Sequence, residues 1–210
     1  MKKTLVLVTL FVLPIVAYLF FASGVNNFGK LPVLTENISD VAVLDENATL
    51  KNKITILGFL GSDVDQKKGN AFNLNQKIYK RFYEFNDFQF VMIVLKGSEN
   101  RVSELKKELG NLADIKKWEF IFANENEITD FFSSLKTDLS LDENLSTPYV
   151  FIIDKDLSLR GRTNDEDEGT KFGFNTTSVA DLNNKMEDDV KIILAEYRLA
   201  LKKNNADRAK

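Results

Sequence analysis

The 210-residue chain contains no cysteine and no histidine. Without cysteine there is no thiol nucleophile, no disulfide and no thiolate ligand. Without histidine, the commonest neutral-pH general base and transition-metal ligand is missing. A copper or zinc site made only of carboxylates and methionine is chemically poor. Clustered positive charge is lacking as well: the net charge is −3, and −5 once Lys2 and Lys3 are set aside. Phosphate neutralisation needs grouped Lys and Arg, so nucleic acid is not an expected partner. What the chain does have is apolar bulk. Hydrophobic residues make up 44% and there are 17 Phe, enough for a substantial core.

Charge is also missing from one long run. Thr4 to Ala22 reads TLVLVTLFVLPIVAYLFFA, nineteen residues without a charged side chain. As a helix it would span about 28 Å, against roughly 30 Å of bilayer hydrocarbon. Lys2 and Lys3 precede it, so the expected topology is a cytoplasmic stub at 1–3, a transmembrane anchor at 4–22 and an exported remainder. Pro14 falls mid-span, where membrane helices tolerate it. The alternative is a cleaved signal and a secreted product. Such signals have shorter apolar regions and a small-x-small site, and Phe20 and Phe21 sit badly with one. The expected location is the outer face of a bacterial inner membrane, with a linker at 23–30, a domain at 31–203 and a flexible tail at 204–210.

Within the domain the pattern alternates. Val41–Leu50 reads as a small hairpin around Asp45-Glu46-Asn47. Ile54–Leu60 is apolar on both faces except Thr55, as a central parallel strand should be. Gly69–Phe85 places Ala71, Leu74, Ile78, Phe82 and Phe85 at helical spacing, with Phe72, Tyr79 and Tyr83 beside them. Strands are expected at Phe88–Leu95, Trp118–Phe122 and Tyr149–Asp154, with Ser158–Arg160 returning as a hairpin partner. Helices are expected at Glu99–Leu109, at Glu125–Leu135 and from Ser178, where Asp181 completes a capping box.

Alternation of this kind demands parallel strands with right-handed crossovers, and the closing hairpin makes the sheet mixed. The order resembles the thioredoxin-like superfamily in its membrane-tethered form, with Sco/SenC proteins and the TlpA-like and peroxiredoxin-like branches nearest. Three stretches carry the resemblance: LPVL…VAVLDENATLKNKITILGFL, STPYVFIID and DKDLSLRGR with its Arg160-Gly161 pair. It implies an α/β thioredoxin-like fold with helices on both faces of a mixed sheet. Sco-like chains place two cysteines after the first core strand, where this chain has GSDVDQKKG. Their copper histidine sits eight residues before the strand-ending Asp, a position occupied here by Ser146. The resemblance therefore implies a shell without redox or copper chemistry, binding a protein partner in the envelope, such as a respiratory oxidase undergoing assembly. No cofactor or catalytic residue is expected.

The surface expected to bind that partner comprises Gly61, Ser62, Asp63 and Asp65 after the first core strand, with Thr147 and Pro148. In thioredoxin-like folds the matching proline is usually cis, and the residue before it pairs with an extended peptide. The rival account of Thr147-Pro148 is a proline that only fixes a loop. The alternative function uses carboxylates for metal binding or catalysis, at Asp63/Asp65 or in the Asp165–Glu168 loop. Ser62 beside Asp63 has no base to activate it. Asn164, Glu166 and Glu168 fall at positions 1, 3 and 5 of a Ca²⁺ loop, but Asn175 stands where the bidentate Glu belongs. Four Asn-x-Ser/Thr sequons, at Asn37, Asn47, Asn144 and Asn175, suit the general abundance of Asn.

Overall fold

The computed structural model describes residues 2–23 and 29–208. Helix α1 is Lys2–Ser23, with Pro14 inside it. Its described side chains, Lys3 and those of residues 6–19, are almost all exposed. Among the described residues no helix is long and apolar enough to cross a membrane. The expected linker at 23–30 and the end of the expected tail fall largely outside the described residues.

The central sheet has seven strands: β1 (Val33–Thr35), β2 (Ile54–Gly61), β3 (Phe88–Leu95), β4 (Trp118–Ala123), β5 (Tyr149–Ile153), β6 (Leu159–Arg160) and β9 (Phe174–Asn175). Their order is β1-β6-β5-β2-β3-β4, with β9 also paired to β5. Strands β2, β3 and β4 are parallel, while β5 runs antiparallel to β2 and to its hairpin partner β6. The mixed sheet is as expected. Every residue of β2 is buried, as a parallel strand covered on both faces requires.

Alternation along β2 feeds two cores. Ile54, Ile56 and Leu60 face one layer; Leu57 and Phe59 face the other. The first layer holds three helices. Helix α2 runs through Lys68–Leu74, a π turn at Asn75–Tyr79 and a last turn at Lys80–Phe82. Helix α3 is Glu99–Gly110. Helix α5 comprises Val179–Asp181, a second π turn at Leu182–Met186, and Glu187–Arg208. The opposite layer holds α4 (Glu125–Ser133) and the segment from Ile38 to Leu50.

Four expectations need correction. The N-terminal hairpin is absent: Val41–Val43 forms a 3₁₀ turn. The Asp40 carboxylate accepts from the Leu50 amide at 2.8 Å and the Thr49 hydroxyl at 2.6 Å, and this local bonding outweighs the strand preference of the valines. Helix α2 ends at Phe82, leaving Phe85 40% exposed. The acidic stretch is not a loop throughout, since β7 (Arg162–Asp165) and β8 (Gly169–Lys171) form a two-stranded ribbon. Ser178 does cap α5 by accepting from the Asp181 amide, but the Asp181 carboxylate turns away to the Asn175 amide and Lys171, so no reciprocal box forms.

Arg160 closes the fold beyond β6. Only 4% exposed, it donates to the Leu31 carbonyl and to the carboxylates of Asp154 (2.8 Å) and Glu196 (2.7 Å). Burial opposes its charge, but these two carboxylates more than offset that and hold the guanidinium firmly protonated. The neighbouring Gly161 lies so close to β8 that a Cβ there would come 2.3 Å from the Lys171 carbonyl oxygen. The Arg-Gly pair is thus a structural tie between the entry segment, the β5–β6 hairpin and α5.

Candidate functional site

Strand β2 ends in a glycine because its last residue is left-handed. Gly61 has φ +53°, and a Cβ there would lie 1.9 Å from the Asn144 carbonyl oxygen. That approach lets the loop after β2 bond directly to the loop before β5. The Ser62 amide donates to the Asn144 carbonyl at 2.9 Å, and the Ser62 hydroxyl lies 3.4 Å from Asn144 Oδ1. Arg101, on α3, donates to the Ser62 carbonyl at 2.9 Å and faces Asp65 at 3.7 Å.

The partner loop is fixed from within. Asp142 accepts from the Ser146 amide and hydroxyl at 2.9 and 2.7 Å and from the Asn144 amide at 3.0 Å. Lys67 approaches the same carboxylate at 3.6 Å. Partial burial pushes the Asp142 carboxyl up, but the Ser146 and Asn144 hydrogen bonds and the Lys67 charge prevail and leave it below the usual carboxylate range. We call this seam, from Gly61 through Asn144 to Asp142, the clasp.

The clasp alters what Thr147 and Pro148 can do. The Thr147 amide donates to the Phe59 carbonyl at 3.1 Å, continuing the β2–β5 pairing. The Pro148 carbonyl accepts from the amide and hydroxyl of Thr176, at 2.9 and 2.6 Å. Among the described residues no peptide bond is cis, so the expected cis geometry before Pro148 is not found. Strand addition at Thr147 has lost its main-chain donor, which is already paired internally. Behind Thr147, between Gly58, Met92 and Val150, lies a void of about 10 Å³, room for a single water at most.

The structure therefore brings Gly61 and Ser62 against the 142–148 loop and places Thr147 beside the end of β2. Asp63 and Asp65 stand on the rim, half-buried and exposed respectively. No hydrogen bond or ion pair among the described residues joins either of them to Thr147 or Pro148. The arrangement can present carboxylates, an amide side chain and Arg101 to a partner. Ser62 has neither a histidine nor a lysine within hydrogen-bond reach to act as its base.

The second acidic candidate is occupied by cations. Asp165 is bound by Lys185 at 2.7 Å and faces Arg162, Asp167 pairs with Lys185, and Glu168 pairs with the fully buried Lys171. Burial pushes the Asp165 carboxyl up, yet Lys185 and the Asp167 amide outweigh it and hold the carboxyl low. Asn164, Glu166 and Glu168 do not form a Ca²⁺ cage. Among the described residues no cluster of three or more carboxylates could hold a metal ion.

Arg101, Asp142 and Asn144 are the site residues that sequence reasoning missed. Asp142-Glu143-Asn144 carries turn chemistry, but nothing local says that Asn144 meets a loop 82 residues earlier.

No protein-family model and no curated protein sequence matches the chain. Solved structures similar to it include a thiol:disulfide interchange protein from Bacteroides sp., 14% identical over 78% of this chain and 91% of that one, with a TM-score of 0.46. A SCO1/SenC family lipoprotein from Bacillus anthracis str. Ames is 15% identical over 80% and 98%, with a TM-score of 0.45. A thioredoxin family thiol:disulfide interchange protein from Chlorobium tepidum TLS is 18% identical over 79% and 96%, with a TM-score of 0.44. The mixed α/β sheet fits the thioredoxin-like fold that the sequence resembles. Likeness at this level concerns the path of the chain and assigns no role to any residue.

Proposed function

We propose that this protein is a membrane-anchored, extracytoplasmic binding module that carries out no thiol, disulfide or copper chemistry. The observation that carries the reading is the clasp. The end of β2 is pinned to the loop before β5, and the chain has no cysteine or histidine to place there. A pinned, polar loop is preorganised for docking, because little conformational freedom remains to be lost on binding. The nineteen-residue apolar run behind Lys2 and Lys3 supports the anchor.

The binding surface we assign is Gly61, Ser62, Asp63 and Asp65 with Thr147 and Pro148, extended to Arg101 and Asn144. Recognition goes through side chains at the rim and not through strand addition at Thr147. An envelope complex in assembly, such as a respiratory oxidase, is the client class that the Sco/SenC resemblance suggests.

Pull-down from detergent-solubilised membranes tests the reading. Wild type should retain a defined partner, Asp63→Lys and Asp65→Lys should each release it, and a charge reversal at Asp87, near the opposite end of the sheet, should not. A partner held equally by all four proteins would show that the surface is misplaced. Heat from Ca²⁺, Mg²⁺ or Mn²⁺ in calorimetry, abolished by Asp63→Asn, would replace the reading with a metal site.

A further inference from the structure

The two edges of the central sheet are unlike. The β1 edge is three residues long, follows Pro32 and has an irregular register, devices that discourage further pairing. The β4 edge has none of them. It is Trp118-Glu-Phe-Ile-Phe-Ala123, six residues in unbroken register with β3, with no proline and a single charge.

The main-chain directions along β4 follow from its ladder. Lys117 and Ala123 accept from Phe90 and Lys96, so odd-numbered residues face β3. Even-numbered residues turn their main-chain groups to the other side. The Trp118 amide is taken by the Ile115 carbonyl. The amides and carbonyls of Phe120 and Phe122 have no main-chain partner among the described residues.

We infer that β4 pairs with β4 of a second copy of this chain, antiparallel about a two-fold axis. Charge favours that occupant. Lys116 stands at the N-terminal end of β4 and Glu125 follows its C-terminal end, while Lys117 is engaged by the Phe85 carbonyl and Glu127 by Lys96 and the Asn124 amide. An antiparallel two-fold pair sets each end beside its opposite, so basic meets acidic twice, as an isologous contact requires. Glu125 has no ion-pair partner among the described residues, and Lys116, with 85% of its side chain exposed, reaches only Asp114. The result is one continuous sheet of twice seven strands, and two clasp surfaces per assembly.

The test uses the full chain in detergent, with protein mass measured by light scattering coupled to size exclusion. Wild type should have twice 23.9 kDa of protein. Phe122→Ala removes the ring and keeps the outward amide, so it stays dimeric. Phe122→Pro removes that amide without touching the β3 ladder and should give single chains. Wild-type protein of single-chain mass, or a dimer that survives Phe122→Pro, overturns the inference. Should Phe122→Pro fail to fold, the cysteine-free background decides. Lys116→Cys/Glu125→Cys should form covalent dimers on oxidation well above either single variant. Equal yields from all three overturn it.

Discussion

Gly61 carries more of the site's geometry than any residue with a reactive side chain. Its positive φ and its contact with the Asn144 carbonyl both exclude a Cβ. Gly61→Ala should cost about 2–4 kcal/mol, combining left-handed strain with a forced shift of the 144–145 backbone. Urea unfolding measures this, and a change below about 0.5 kcal/mol would mean the clasp yields freely. Asn75 predicts a change of opposite sign. It is fully buried in the π turn of α2, and neither atom of its side-chain amide has a hydrogen-bond partner. Asn75→Leu should raise stability by about 1–3 kcal/mol, the desolvation cost of an unpaired polar group. A fall in melting temperature would show that the amide is paired in solution.

Among the elements, the strands were legible in the sequence because burial on both faces leaves an apolar run, broken in Ile54–Gly61 only at Thr55 and in Phe88–Leu95 only at Gln89, whose side chains bond to each other. The π turns were not. Ala71, Leu74, Ile78 and Phe82 keep helical spacing through the wider turn, so the pattern cannot report it. The false hairpin at Val41 has the same kind of cause: valines suggest strand, and the neighbouring Asp40 carboxylate, bonded to the Leu50 amide ten residues on, decides otherwise. The site was legible as a position, at the end of β2. It was not legible as a clasp, because Asn144 meets Ser62 only once the sheet has formed.

The clasp loop should also respond to acid. The Asp142 carboxyl is held low in the folded protein, so its contribution is present above the unfolded value of about 3.9 and is lost as pH falls through the folded value. Wild type should therefore exceed Asp142→Asn in urea midpoint at neutral pH, and the gap should close below about pH 4. A gap that stays constant across pH would assign the effect to shape and not to charge. The tie at Arg160 predicts a larger loss. Arg160→Leu strands the buried Asp154 carboxylate and should cost about 3–5 kcal/mol.

For the whole molecule, the binding function we propose rests on the pinned sheet end, in a chain with no cysteine or histidine to place there. Pairing through β4 would leave the clasp free, since β2 lies inside the sheet and its loop emerges between α2 and the 142–148 segment. The most direct test is photo-crosslinking in intact membranes, with a reactive side chain placed in turn at Asp63, at Asp65 and at Lys51 as a control before the opposite end of β2. The account predicts one discrete heterologous adduct shared by positions 63 and 65 and absent at 51. No adduct at 63 and 65, or the same adduct at all three positions, would contradict it.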